Sequence, residues 1–157
     1  MQTLSTCLWF DSQAEQAAAF YVSLFPNSRI VETKHYLEGG PRPAGSVLTV
    51  RFTRNGAEYV ALNGGPVFQF SPAMSLVASC DTHDEVDTLW RKLRDGGQEG
   101  QCGWLTDRYG VSWQIVPRAL LEMLNTADQA ASQRAFAAMM KMKKLDIAAL
   151  QRAYQGA

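Results

Sequence analysis

Histidine is almost missing from this 157-residue chain, which has only two, His35 and His83. Cysteine is nearly as scarce: Cys7, Cys80 and Cys102 are odd in number and far apart. They match no zinc spacing and no Cys-x-x-Cys redox pair, which excludes a disulfide scaffold and a zinc finger and leaves three reduced, mostly buried thiols as the expectation. An excess of either charge is absent too. Fifteen Lys and Arg against fifteen Asp and Glu give a formal net charge of zero, so nothing in the bulk electrostatics favours nucleic acid or an anionic membrane as a partner. No run approaches the roughly 20 apolar residues of a membrane span. The start, MQTLSTCLWF, lacks a basic segment followed by a long apolar one, so no secretory signal is expected and the expected location is cytoplasmic.

What is present is an ordinary globular composition, 46% apolar, and a repeat. Thr3 to Phe10 is a short apolar strand. Ser12 and Glu15 then have the spacing of a capping box, and Ala17, Ala18, Phe20, Tyr21 and Leu24 mark a helical face ended by Pro26-Asn27. Met74 to Cys80 is a second apolar strand. Thr82 and Glu85 repeat the capping spacing, Val86, Leu89, Trp90 and Leu93 repeat the helical face, and Gly96-Gly97 stops it. After the first helix come β-forming runs at Arg29 to Leu37, Ser46 to Thr53 and Glu58 to Asn63. Asn55-Gly56 between the last two is a strong hairpin signal. After the second helix come a short piece near Gln98 to Gln101 and then a further hairpin. Each half therefore reads βαβββ. The expected organisation is a first module over 1–63, a linker over 64–73, a second module over 74–117 and a helical extension over 118–157. The fold class is α+β, with helices outside and two sheets forming a cleft.

The last hairpin, CGWLTDRYGVSWQIVP, turns at Asp107-Arg108-Tyr109-Gly110. Its second strand places Val111, Trp113 and Ile115 on one face and Ser112, Gln114 and Val116 on the other. A Gln at the centre of a core strand either lines a cavity or is satisfied by neighbours. Trp104 and Trp113 read as core or wall aromatics. Asn63-Gly64-Gly65-Pro66 reads as a loop at the cleft mouth or as a plain linker turn. Asp84, Asp87 and Asp95 read as a solvated helix face, and Asp107 with Arg108 as structural. Cys102, Ser112 and Ser46 have no His near them in sequence that could serve as an activating base. In the extension, Ala119, Leu120, Met123 and Leu124 form one apolar face, and Ala135, Phe136, Met139, Met140 and Met142 a Met-rich one. A third helix begins at Asp146. These helices cover the cleft, a partner subunit or their own domain. Lys141, Lys143 and Lys144 form a small basic run of solvated charge.

CLWFDSQAEQAAAFYVSLFPNSRI, ALNGGPVFQFSPAMSLVASC and CGWLTDRYGVSWQIVP together resemble the PhnB-like branch of the glyoxalase/bleomycin-resistance (vicinal oxygen chelate) superfamily, whose architecture is the paired βαβββ unit. That branch often carries the label 3-demethylubiquinone-9 3-methyltransferase. The chain has no glycine-rich strand-to-helix loop with a following acidic residue of the adenosylmethionine type, so the label finds no support in these residues. The resemblance implies a divalent metal held by His, Glu or Gln on strand positions, polarising substrate oxygens. Carried over by spacing, those positions fall at Thr6, Leu76 and Gln114. Only Gln114 has ligand chemistry, so no metal and no other cofactor is expected. His83 falls in a capping segment and His35 on the second strand.

The expected ligand pocket comprises Thr6, Leu8, Tyr59, Asn63, Leu76, Trp104 and Gln114, with no catalytic residue assigned. Three functional readings stand beside one another. The first is a binder of a small molecule, like the superfamily's drug-binding members. The second is a metal-free enzyme on a small metabolite, favoured by a polar constellation of Gln114, Asn63 and Tyr59. The third is a structural or regulatory dimer. A homodimer is expected in any case, because a first strand apolar on both faces needs cover.

Overall fold

Alternating side chains divide each sheet into two faces; one helix per unit covers the first, and in the second unit the C-terminal extension packs against Val116 at the end of the other. The computed structural model describes every residue from Met1 to Ala157. The chain divides into two units, Met1–Phe70 and Ser71–Ala157.

The first unit runs β1 (Ser5–Phe10), α1 (Ala14–Leu24), β2 (Ser28–His35), β3 (Val47–Arg54) and β4 (Ala57–Asn63). The sheet order is β1-β4-β3-β2. β1 lies parallel to β4, and the other pairs are antiparallel. Asn55 and Gly56 turn β3 into β4 with φ of 47° and 81°, the double left-handed geometry that two-residue hairpins require and that Asn-Gly adopts at least cost. α1 turns Ala14, Ala17, Ala18 and Tyr21 inward. These small residues let the helix sit close over Leu8, Phe10, Val50, Phe52 and Ala61, all buried, each large side chain contributing about 1.5–3 kcal/mol.

The Ser12–Glu15 capping box does not form. Gln13 is the N-cap and caps with no side-chain bond. The Ala14 N–H instead donates to Asn63 Oδ1 at 2.8 Å, from the end of β4. A buried tertiary acceptor has displaced the local one.

The second unit runs β5 (Ser75–Cys80), α2 (His83–Arg94), β6 (Gln98–Glu99), β7 (Trp104–Thr106) and β8 (Ser112–Pro117), followed by α3 (Arg118–Leu124), α4 (Gln129–Met139) and α5 (Ile147–Gln155). Its sheet order, β5-β8-β7-β6, repeats the first, with β5 parallel to β8. Here the capping signal is obeyed: Thr82 Oγ1 accepts from the Glu85 N–H at 3.2 Å. The Glu85 carboxylate accepts from the Asp81 N–H at 2.7 Å, one residue before the cap. α2 buries Val86, Leu89, Trp90 and Leu93.

The extension belongs to this second unit. Leu120, Met123, Ala135, Leu145 and Leu150 form its core, with Val116 of β8 packed against it. Asp128 and Asp146 cap α4 and α5. Between those helices the chain forms a strap. The Cys102 N–H donates to Met142 O and the Gly103 N–H to Lys143 O, each at 2.8 Å. The Lys144 ammonium meets Asp87, and Asp95 meets Arg108 at 3.3 Å. Asp87, Asp95 and Lys144 are therefore ion-paired rather than simply solvated.

Candidate functional site

Strand registers decide which residues each open face can offer. In the first unit Asn63 reaches α1, and Phe52 lies 6.2 Å from Tyr21 with Tyr59 stacked on it at 5.1 Å. The rows Thr6–Tyr59–Phe52, Leu8–Ala61–Val50 and Phe10–Asn63 therefore lie on the helix side. In the second unit the Trp90 indole on α2 donates to Glu99 Oε1 at 3.0 Å. The row Glu99–Leu105–Trp113–Leu76 is thus helix-facing. Of the expected pocket residues, Thr6, Leu8, Tyr59, Asn63 and Leu76 lie on covered faces. Trp104 and Gln114 lie on the open face of the second sheet. The expected parity of β1, β4 and β5 is one residue out, because those strands are apolar on both faces and alternation alone does not fix their sense.

Asn63 is a structural pin. It is buried at 5% exposure. Its Oδ1 holds the α1 N-terminus, its Nδ2 donates to Val47 O at 3.0 Å, and its carbonyl accepts from the Tyr36 hydroxyl at 2.5 Å.

The open face of the first sheet carries Cys7, Val60, Arg51 and Glu32 in one row and Trp9, Leu62, Thr49 and Lys34 in the next. The Arg51 guanidinium bridges Glu32 at 3.0 Å and Glu58 at 3.5 Å. Partial burial pushes the Cys7 thiol pKa upward, which disfavours the nucleophilic thiolate. Trp9 donates its indole N–H to Gly65 O at 2.9 Å and meets Phe68 edge-on at 4.9 Å. A Cβ on Gly64 would fall 2.3 Å from the Trp9 ring, so glycine is required for this loop to lie on the strand.

The open face of the second sheet carries Ser75, Val77, Ser112, Gln114, Trp104 and Thr106. Gln114 is half-buried, and its Nε2 donates to Ser75 Oγ at 2.9 Å. Asp107, at 3% exposure, ties the adjoining hairpin. Its Oδ1 accepts from the Tyr109 and Val111 N–H groups and its Oδ2 from the Trp113 indole, at 2.8, 3.1 and 2.9 Å. The sequence marks Asp107 as a turn residue, but the indole bond closes only once Trp113 points to the covered face.

A divalent metal does not fit these donors. With parity corrected, the open-face positions of the two parallel-paired strands are Ser5, Cys7 and Trp9 on β1 and Ser75, Val77 and Ser79 on β5, with Gln114 on β8. No group of three or more His, Cys, Asp or Glu side chains that could hold a metal ion exists. Hydroxyls, one amide and one thiol with a raised pKa are weak ligands for a transition metal.

The family model described as 3-demethylubiquinone-9 3-methyltransferase matches residues 2–116. The chain belongs to this family. A PhnB protein from Bacillus cereus, itself only provisionally called a 3-demethylubiquinone-9 3-methyltransferase, is 40% identical with a TM-score of 0.68, over 74% of this chain and 99% of that one. Protein PA1353 from Pseudomonas aeruginosa is 18% identical with a TM-score of 0.61, over 74% and 98%. The fosfomycin resistance protein FosX from Listeria monocytogenes, in complex with Mn(II) and sulfate, is 12% identical with a TM-score of 0.51, over 73% and 89%. The last two show likeness of fold alone. Comparison with curated proteins gives no match. The fold is of the glyoxalase/bleomycin-resistance type, and the methyltransferase in the family's description is a family name. α3, α4 and α5 lie beyond the residues the family matches.

Proposed function

We propose that this chain binds a small molecule on the open face of its second sheet, without a divalent metal. The observation that carries the reading is the Gln114–Ser75 pair, at 2.9 Å on an open face, with Trp104 cross-strand from Gln114. An amide and a hydroxyl recognise a polar group and the indole covers an apolar one, the usual division of labour in a ligand pocket. Gln114 is thus both satisfied by a neighbour and available to a ligand through its remaining amide atoms. Cys7 and Trp9 are the corresponding open-face residues on the first sheet.

A homodimer and a cytoplasmic location belong to the same reading. β1 is an edge strand with Cys7 exposed and Trp9 only half-buried, and such an edge favours cover by a second chain. Three free cysteines suit a reducing compartment. No helix is long and apolar enough to cross a membrane, and the zero net charge gives nucleic acid no general attraction.

The test is a thermal-shift screen of small amphipathic compounds, followed by amide and indole NMR titration of the hits. Resonances of Gln114, Ser75 and Trp104 are expected to move. Gln114→Leu is expected to weaken binding by about 3- to 10-fold, the value of one hydrogen bond of about 0.5–1.5 kcal/mol. Hits that leave these three residues unmoved would sink the reading.

A further inference from the structure

A groove lies on the helix side of the second unit, away from the Gln114–Ser75 pair. α2, β6 and the strap border an open groove of about 480 Å³, lined by four cations, Arg91, Arg94, Lys143 and Lys144, by two carboxylates, Asp87 and Glu99, and by Trp90. That volume falls within the roughly 300–1,000 Å³ range of small-ligand pockets. Its two carboxylates are already committed. Glu99 accepts from the Trp90 indole at 3.0 Å and from Arg94 at 3.2 Å, and its pKa is lowered mainly by the indole bond. Asp87 is taken by Lys144 and by His83 Nε2 at 3.2 Å. Arg91 and Lys143 make no close ion pair, although the Lys143 charge also acts on Glu99. The groove therefore keeps an excess of positive charge in a chain whose net charge is zero.

The backbone that carries the strap's cations is also fixed before any ligand arrives. The Lys143 carbonyl is bonded to the Gly103 N–H at 2.8 Å, and Leu145 beyond it is 1% exposed. Ordering that is already present need not be supplied by a ligand. Arg91 offers a planar fork and Lys143 a point charge, and both match the oxygens of phosphate or carboxylate groups.

We propose that this groove binds a small polyvalent oxyanion, a molecule bearing phosphate or carboxylate groups, and that the C-terminal extension builds the site by supplying Lys143 and Lys144. Because those two residues lie beyond the matched residues 2–116, the site is an addition to the family's common βαβββ pair.

Sodium tripolyphosphate and sodium citrate, each titrated into the full chain and followed by the Trp90 indole resonance and by calorimetry, distinguish the two anion types. Saturable one-to-one binding of at least one of them, with the Trp90 signal moving, is expected. Arg91→Ala and Lys143→Ala are each expected to weaken it about tenfold. Lys141→Ala, outside the groove, is expected to leave it unchanged. All three side chains are exposed, and melting curves confirm that the variants fold. No saturable binding, equal loss in Lys141→Ala, or a response to heparin but to neither small anion would overturn the proposal.

Discussion

Three donors converge on Asp107: two backbone N–H groups of its own turn and the Trp113 indole. Asp107→Ala strands them in a region that is almost fully buried, and unsatisfied buried donors cost about 1–3 kcal/mol apiece. A loss of about 3 kcal/mol in urea denaturation is expected, and a loss under ~1 kcal/mol would mean that water or the backbone replaces the carboxylate. Asn63 gives a finer test. Asn63→Asp keeps the acceptor for the Ala14 N–H but loses the donor to Val47 O. It is expected to cost less than Asn63→Leu, which loses both bonds, by about 1 kcal/mol in the same measurement. At this scale the sequence was partly readable. Asp107 announced a turn, and Gln114 stood out as a polar residue on a core strand. The partners were not readable, because Asn63 meets Ala14 across 49 positions and nothing in the local pattern joins them.

The two helix starts separate local signal from tertiary override. Both have S/T-x-x-E, yet only Thr82 caps its helix. Thr82→Ala is expected to cost about 1 kcal/mol, whereas Ser12→Ala is expected to cost less than ~0.5 kcal/mol, since no cap is lost. Thermal melts of the two variants, compared side by side, check the contrast. Equal losses would mean that Ser12 caps α1 in solution. The strap has a pH signature. The Lys144 hydrogen bond is the main cause that holds the Asp87 carboxyl below the usual aspartate range. Its folded pKa is thus depressed, so its stabilisation is complete above the unfolded value near ~3.9 and is lost as pH falls through the lower folded value. Protection factors at Cys102 and Gly103, with the intrinsic pH dependence of amide exchange divided out, are expected to fall in acid for the parent chain and to be lower already at neutral pH in Asp87→Asn. Identical exchange in both chains would show that the Asp87 pair does not hold the strap. The order of elements along the chain, the helix positions and the hairpins were legible because the repeat, Asn55-Gly56 and the helical faces all point one way. The parity of β1, β4 and β5 was not, since runs such as Leu8-Trp9-Phe10 are apolar on both sides.

For the whole molecule, the edge position of β1 leads to an association test. Light scattering after size exclusion at micromolar concentration is expected to give twice the 17.4 kDa chain mass. A single-chain mass that persists as concentration rises would mean that β1 needs no second chain. The absence of strong ligands at Ser5, Cys7, Trp9, Ser75, Val77, Ser79 and Gln114 leads to the central claim, that recognition on the open face of the second sheet proceeds without a divalent metal. Calorimetric titration of the best small-molecule hit, in EDTA and in a millimolar excess of Mn(II), tests that claim most directly. The same affinity in both conditions, lowered in both by Gln114→Leu, is the predicted result. Binding that appears only with Mn(II), or that strengthens tenfold or more in its presence, would contradict it.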